Sequence, residues 1–143
     1  MARRYLPAAA LAFIAVASGS HCLAEDTATT PLYERLGGAT KMTAVVGETL
    51  DKMASSPRTR ATFDKVDMSQ VKEKLVAQIC SLTGGGCTYE GATMQDVHDG
   101  QGITSAEFYQ LVETLRNTMR NYDIPLSARN ELLAALAPAK PAS

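Results

Sequence analysis

The apolar residues of this chain recur at helical spacing, and this periodicity limits the fold more than any other feature of the sequence. Between Lys41 and Met53 the apolar-stripe positions are Met42, Val45, Val46, Thr49, Leu50 and Met53. They stand three and four residues apart, which is the spacing of one buried face of a helix. No stretch shows the alternation or the β-branched density of a sheet, so the sequence predicts an all-α fold.

Two more long helices are predicted further along the chain. Asp67 or Ser69 can cap the first of them, and its expected apolar face consists of Met68, Val71, Leu75, Ile79 and Leu82. Thr104 and Glu107 have the spacing of a capping box, in which each residue satisfies an amide of the other. The helix behind this box has an expected apolar face of Phe108, Leu111, Val112, Leu115 and Met119.

Short breaks separate these helices. Ser55-Ser56-Pro57 interrupts the chain after the first helix, Gly84-Gly85-Gly86 follows the second, and a last helix is predicted from Ser127 to Pro138. The glycine run is typical of a helix stop rather than a phosphate-binding loop, because no strand precedes it and no Lys-Ser/Thr follows it. Four longer helices with short connections indicate antiparallel helix pairs around one core.

The first residues have the pattern of an export signal. Arg3 and Arg4 precede an apolar run from Leu6 to Ala17, and a cut after Ala24 is expected. The apolar run is well short of the roughly 20 residues that span a bilayer, so we expect no stable membrane anchor. The expected divisions are a signal peptide at 1–24, a polar leader at 25–30, one helical domain at 31–138 and a flexible tail at 139–143. The protein is therefore expected to be periplasmic or secreted.

Removal of residues 1–24 lowers the basic count from 14 to 12 and leaves 15 acidic residues. No basic patch stands out, which argues against a nucleic acid or an anionic membrane as the main partner. Cys80 and Cys87 remain as an even pair in a compartment that permits disulfides. They are a candidate disulfide, and two packed thiols are the alternative.

The stretch from Gly91 to Thr104 holds the one histidine that would remain after the signal is removed. Thr93 can cap a short helix there, and Gly100 can end it. An imidazole held in such a turn, that of His98, is the candidate ligand for a transition metal. An ordinary surface or hydrogen-bonded histidine is the alternative.

Several short pieces, taken together in their order and spacing, resemble the truncated haemoglobins, most closely their first group. The pieces are Leu32-Tyr-Glu-Arg-Leu-Gly-Gly38, Ala44-Val-Val46, Phe63, Val66-Asp-Met68, Gly84-Gly85, Tyr89, Gly91, Met94, Val97-His98, Gly100, Gly102-Ile-Thr104 and Phe108. The similarity extends from about Pro31 to Pro138. It implies a truncated globin-like, two-over-two helical sandwich around haem.

The resemblance also implies roles for individual residues. His98 would be the proximal ligand of the iron in a noncovalently bound haem b. The other implied haem contacts are Phe63 on the porphyrin face, Val71, Leu75 and Ile79 on the distal side, and Met94, Ile103 and Phe108 on the proximal side. Ordinary core packing is the alternative for the apolar residues, since their helical spacing explains it equally well. The chain lacks the Cys-x-x-Cys-His signature of covalent haem.

The sequence departs from the family where ligand chemistry is decided. Leu50 stands where relatives commonly have a tyrosine, and Leu75 stands where a glutamine often assists. Losing a hydrogen-bond donor to bound dioxygen costs about 1–3 kcal/mol, which argues against tight oxygen storage. Lys74 occupies the position where some relatives supply an internal sixth iron ligand, and a solvated lysine is the alternative. Gln78 is a weaker candidate than Lys74 for a polar contact on the distal side, as a hydrogen-bond donor.

Three functions are compatible with the sequence. The first is an exported haem protein that binds O2, NO or CO, with oxygen carriage, nitric oxide dioxygenation or peroxidase-like chemistry as uses. The second is a six-coordinate haem redox or electron-transfer protein with Lys74 as internal distal ligand. The third is a cofactor-free helical interaction domain. Expected partners are small diatomic gases and, as a further candidate, a reductase, and the expected state is a monomer or weak dimer.

Overall fold

The computed structural model describes residues 30–90 and 102–141 of the chain. Within these residues it contains six α-helices, one 3-10 helix and no strand. The helices are α1 (Leu32–Arg35), α2 (Gly38–Ser55), α3 (Arg60–Phe63), α4 (Met68–Leu82), α5 (Ser105–Asn121) and α6 (Leu126–Leu136), followed by the 3-10 helix Ala137–Ala139. The prediction of an all-α fold is confirmed. None of the helices in these two segments has the length and apolar character needed to cross a bilayer.

Helix α2 is the central element, because it packs against both α4 and α5. Its six predicted stripe residues are all buried, namely Met42, Val45, Val46, Thr49, Leu50 and Met53. Leu115 and Met119 of α5 and Leu132 of α6 meet the same core. Fully burying one such side chain contributes about 1.5–3 kcal/mol, so this shared core supplies most of the stabilisation.

The helix starts follow the predicted capping residues. The Asp67 side chain accepts hydrogen bonds from the backbone amides of Ser69 at 3.0 Å and Gln70 at 3.2 Å. Thr104 and Glu107 form the complete capping box at the start of α5. Both caps satisfy amides that the first turn of a helix leaves unpaired.

The apolar face of α4 differs from the prediction at its end. Ile79 is fully buried, and Val71 and Leu75 are half-buried, but Leu82 is 48 % exposed. Leu82 is the last residue of the helix and does not belong to the core cluster. Its spacing predicted a core position, and that prediction is wrong.

The start of the tail lies against α5. Ala139 ends the 3-10 helix, the Lys140 ammonium lies 5.0 Å from the centre of the Tyr109 ring, and Pro141 is buried. Residues 139–141 thus pack on the domain, because Pro138 continues the chain as a 3-10 turn. The flexibility of the tail at 139–143 stays a prediction.

Among the described residues, two ion pairs join helices at the surface. The Arg35 guanidinium donates to the Glu131 carboxylate and so links α1 to α6. The Lys72 ammonium lies 2.7 Å from the Asp51 carboxylate and links α4 to α2. Exposed pairs of this kind contribute about 0–1 kcal/mol each, so they fix helix positions more than they stabilise the fold.

The glycine run after α4 lets the chain turn back onto the helix end. Gly84 has a φ of +81°, a conformation that a side chain disfavours. At Gly85 the constraint is space, because a Cβ atom would lie 2.5 Å from Cys80 Sγ and 2.6 Å from Tyr33 Cδ1. The Tyr33 amide donates to the Thr83 carbonyl at 2.9 Å. The end of α4 is thereby fastened to α1.

We expect Gly85→Ala to lower the free energy of unfolding by about 1–3 kcal/mol, the usual cost of overpacking a filled site. Gly47→Ala is the matched control, because a Cβ atom there would meet nothing within 4 Å. Gly47 lies inside α2, so the control should raise stability by about 0.5–1 kcal/mol. Urea unfolding followed by circular dichroism measures both, and a Gly85→Ala protein as stable as the wild type would contradict the packing described.

Candidate functional site

A cavity of about 750 Å³ opens between α4 and α5, with α3 and the segment that follows it forming a third wall. Helix α4 contributes Gln70, Val71, Lys74, Leu75 and Gln78 to the wall, and α5 contributes Phe108, Leu111, Val112 and Leu115. This volume is typical of a site for a cofactor-sized ligand.

The structure brings together most of the residues that the sequence predicted for a cofactor site. Phe63, Val71, Leu75, Ile103 and Phe108 all line the cavity. Their specific contacts with haem stay predictions.

One predicted site residue lies elsewhere, and two are outside the described residues. Ile79 is fully buried in the hydrophobic core and is absent from the cavity wall, because α4 turns that position toward α2. His98 and Met94 lie outside the described residues. The roles assigned to His98 and Met94 therefore remain predictions from the sequence.

The wall fits a large apolar group with a polar edge. Leu50, Phe108, Leu115 and Leu136 are buried apolar wall residues. Water filling this open cavity would leave the apolar wall hydrated, whereas covering that wall with an apolar group stabilises the complex by about 25 cal/mol per Å² of apolar surface buried. An apolar ligand packs against these side chains more favourably than water does. The residues present therefore fit haem.

The residues that the resemblance places beside the iron-bound ligand line the cavity. Leu50 and Leu75 both face the cavity, and neither can donate a hydrogen bond. Lys74 also lines the cavity, on the exposed side of α4. Its ammonium forms no hydrogen bond or ion pair with any other described residue. It is therefore not held away from the cavity by a partner in this part of the chain.

Glu107 joins two walls of the cavity, which the sequence did not predict. Its carboxylate accepts hydrogen bonds from the Thr62 hydroxyl, from the Thr104 amide at 2.8 Å and from the Thr104 hydroxyl at 2.9 Å. Thr62 is a wall residue beside Phe63, and Thr104 follows the wall residue Ile103. The capping box was readable from local spacing, but Thr62 is 45 positions away from Glu107 and carries no local signal.

A disulfide between Cys80 and Cys87 fastens the loop after α4, with the two Cα atoms 5.6 Å apart. Of the two alternatives left by the sequence, the structure has the bridge and not two packed thiols. Closing this short loop contributes about 2.5 kcal/mol by the loop-entropy relation. Tyr89, two residues beyond Cys87, lines the cavity. The bridge thus holds the start of one cavity wall against the end of α4.

The Glu107 contacts give the protein a testable dependence on pH. The pKa of the Glu107 carboxyl is lowered, first because the Thr62 hydroxyl donates to it and then because the Thr104 amide does. A carboxyl with a lowered pKa stabilises the fold above its unfolded pKa, and this is lost as the pH falls through the folded value. Between pH 7 and pH 3, wild type should therefore lose more stability than Glu107→Gln, and the two proteins should converge in acid.

Glu113→Gln is the control for this experiment, since Glu113 lies on the same helix and pairs only across the surface with Arg116. Thermal unfolding at a series of pH values measures all three proteins. Parallel pH profiles for wild type and Glu107→Gln would show that the Thr62 and Thr104 contacts do not stabilise the fold.

Comparison with known proteins gives results of three kinds. The sequence model of the family described as bacterial-like globin matches residues 31–142. A group 1 truncated hemoglobin, GlbN, of Mycolicibacterium paratuberculosis is 29% identical over 110 residues, which cover 77% of this chain and 81% of the relative. A group 1 truncated hemoglobin of Tetrahymena pyriformis is 27% identical over 100 residues, covering 70% of this chain and 83% of the relative.

Solved structures share the arrangement of helices. The Fe(III) form of the Tetrahymena pyriformis truncated hemoglobin aligns with a TM-score of 0.72 at 23% identity, covering 80% of this chain and 100% of that one. The 2/2 hemoglobin of Synechococcus, in the cyanomet state and with covalently attached heme, aligns with a TM-score of 0.71 at 22% identity, covering 78% and 95%. These alignments confirm the predicted two-over-two helical fold.

Proposed function

The chain belongs to the bacterial-like globin family, within the group 1 truncated haemoglobins, and we propose on that premise that it binds haem b and holds small diatomic ligands at the iron. The single observation that carries this proposal is the 750 Å³ cavity. Its wall is built from the residues that resemble the haem contacts of the family. The bound haem would supply an iron with an open coordination position for O2, NO or CO.

The residues of the chain would hold the haem by packing and by one axial bond. Phe63 and Phe108 present aromatic rings to the cavity, and Val71 and Leu75 present an apolar helix face. His98 is the proposed axial ligand, since it is the one histidine beyond the predicted signal peptide and neutral imidazole is the usual donor in globins.

We propose noncovalent attachment. The sequence contains no Cys-x-x-Cys-His motif. Cys80 and Cys87 are joined to each other and so have no free thiol for a thioether bond. The covalently attached heme of the Synechococcus protein is a property of that relative.

Ligand retention at the iron should be weak for dioxygen. Leu50 and Leu75 leave their part of the wall without a donor to the partly negative bound oxygen, and such a loss costs about 1–3 kcal/mol. We therefore favour gas binding with rapid exchange, or nitric oxide chemistry, over oxygen storage.

We propose that the protein works outside the cytoplasm, in the periplasm or as a secreted protein. Two observations support this location. Arg3, Arg4 and the apolar run that follows have the pattern of an export signal. The Cys80–Cys87 disulfide is of the kind that persists in oxidising compartments.

The axial bond is tested by His98→Ala. After addition of haem, the wild type should show a Soret band whose position shifts when carbon monoxide is added to the ferrous form. The variant should bind haem at least tenfold more weakly and lose the proximal coordination. Added imidazole should restore the wild-type spectrum by filling the space of the missing side chain.

Unchanged haem affinity and coordination in His98→Ala would show that another residue binds the iron. A wild-type chain that forms no Soret band would favour the third function, a cofactor-free helical interaction domain.

A second candidate function is a six-coordinate haem that transfers electrons or reacts with peroxide. The observation that favours it is that Lys74 lines the cavity beside the apolar Leu75 and forms no ion pair with the other described residues. A lysine amine coordinates iron only after losing its proton. The ligation would therefore strengthen as the pH rises.

Lys74→Ala distinguishes the two functions. If Lys74 is the distal ligand, the ferric wild type at alkaline pH should show a six-coordinate low-spin spectrum that the variant lacks, and the variant should bind carbon monoxide faster. Lys65→Ala is the matched control, since Lys65 also lies at the exposed edge of the cavity. Identical alkaline spectra for wild type and Lys74→Ala would exclude internal ligation.

A further inference from the structure

The disulfide after α4 joins a residue inside the protein to one at its surface. Cys80, in the last turn of α4, is only 1% exposed, whereas Cys87 is exposed. Gly85 packs against the Cys80 sulfur so closely that an added Cβ atom would lie 2.5 Å from it. A reagent in solution therefore reaches the bridge from the side of Cys87.

Hydrogen bonds hold the first half of the loop independently of the bridge. The Thr83 amide and hydroxyl donate to the Ile79 carbonyl at 3.0 Å and 2.6 Å, and the Gly85 amide donates to the Cys80 carbonyl at 2.8 Å. Within the part of the chain that the structure describes, no backbone hydrogen bond joins residues 86–88 to α4. This second half of the loop is held to α4 by the disulfide rather than by the backbone.

Tyr89 connects the bridge to the cavity. It is half-buried, lines the cavity and lies two residues beyond Cys87. Because two residues span at most about 7 Å, Tyr89 must stay near Cys87 when that residue moves. Releasing Cys87 from α4 therefore loosens the part of the wall that Tyr89 forms, and a ligand in the cavity loses packing there.

We propose that the Cys80–Cys87 bridge is a redox-sensitive latch on the cavity, which retains haem tightly when the bridge is closed and weakly when a dithiol has reduced it. The inference rests on the proposed function, because haem is the ligand whose retention changes. A reducing cytosol keeps thiols of this kind reduced, whereas an oxidising compartment lets them pair. Tight retention of haem would thus follow export of the chain.

Opening the latch exchanges one disulfide for another. A thiolate of the dithiol attacks the exposed Cys87 sulfur, forms a mixed disulfide and displaces Cys80 as a thiolate. The second thiolate of the reductant then attacks the reductant's own sulfur in the mixed disulfide and releases the Cys87 thiolate. The dithiol supplies two electrons and becomes a disulfide. Its two protons pass through solvent to Cys80 and Cys87.

Cys87→Ser tests the latch, since it removes the bridge at the exposed position and leaves the buried Cys80 side chain in place. Thr88→Ser is the matched control, because it changes the next exposed residue of the loop and keeps the bridge. The full chains are loaded with ferric haem and mixed with an excess of an apoglobin that captures released haem. The change of the Soret band with time measures the rate of haem loss.

The wild type is measured oxidised, and again after reduction with dithiothreitol and removal of the reagent without air. Reduced wild type and Cys87→Ser should lose haem about tenfold faster than oxidised wild type and Thr88→Ser. Dithiothreitol should not change the rate for Cys87→Ser, which separates the bridge from an effect of the reagent on the iron. Reoxidation of the wild type with glutathione disulfide should restore slow haem loss.

Tyr89→Ala tests the step that connects the bridge to the wall. In the oxidised protein it should speed haem loss about tenfold. Reduction should then add less than a further twofold, because the contact that the bridge positions is already gone. If the two effects multiply instead, the bridge acts by a route other than Tyr89, and the proposed connection is wrong.

Three results would overturn the inference while the oxidised protein still binds haem. The first is an equal rate of haem loss from oxidised and reduced wild type, and the second is a bridge that dithiothreitol does not reduce in the folded protein. The third is a reduced wild type that loses its helical circular dichroism, because the bridge would then hold the whole fold and not one wall. Oxidised wild type that takes up no haem would overturn this inference together with the proposed function.

Discussion

The burial of one face of α2 against both α4 and α5 is the contact on which the rest of the structure depends. All six stripe residues of α2 are buried in it. Each contributes about 1.5–3 kcal/mol, whereas an exposed ion pair such as Lys72–Asp51 contributes about 0–1 kcal/mol. Helices α4 and α5 bury part of each apolar face against α2 and turn the remainder toward each other. The cavity is what remains between those two faces.

The walls of the cavity are fixed by contacts at its edges. Glu107 ties Thr62 to the start of α5, and the Cys80–Cys87 disulfide ties the loop after α4 to the helix that it follows. Gly85 permits this by leaving room for Cys80 Sγ. Thr62 is itself a wall residue, and its hydroxyl is paired with Glu107. In the described chain, Gln78 is the buried polar residue of the wall.

The spacing of residues along the chain predicted the helices. It could not predict contacts between residues that are far apart in the sequence. The α2 stripe and the Asp67 and Thr104 caps depend on spacing within one or two turns, and all were confirmed. Spacing also placed Leu82 in the core, because periodicity cannot tell where the partner surface ends. The unpaired oxygen of Gln78 had no signature in the sequence, since it depends on which donors the folded chain brings near. The resemblance to truncated haemoglobins added the roles that no spacing could supply.

The central claim is that this cavity encloses an iron porphyrin bound through one imidazole. A crystal structure of the haem-loaded protein tests it most directly. The account predicts the porphyrin between α4 and α5, in contact with Phe63, Leu75 and Phe108, with the iron bonded to a ring nitrogen of His98. Porphyrin bound on the outer surface, with side chains filling the space between the two helices, would contradict it.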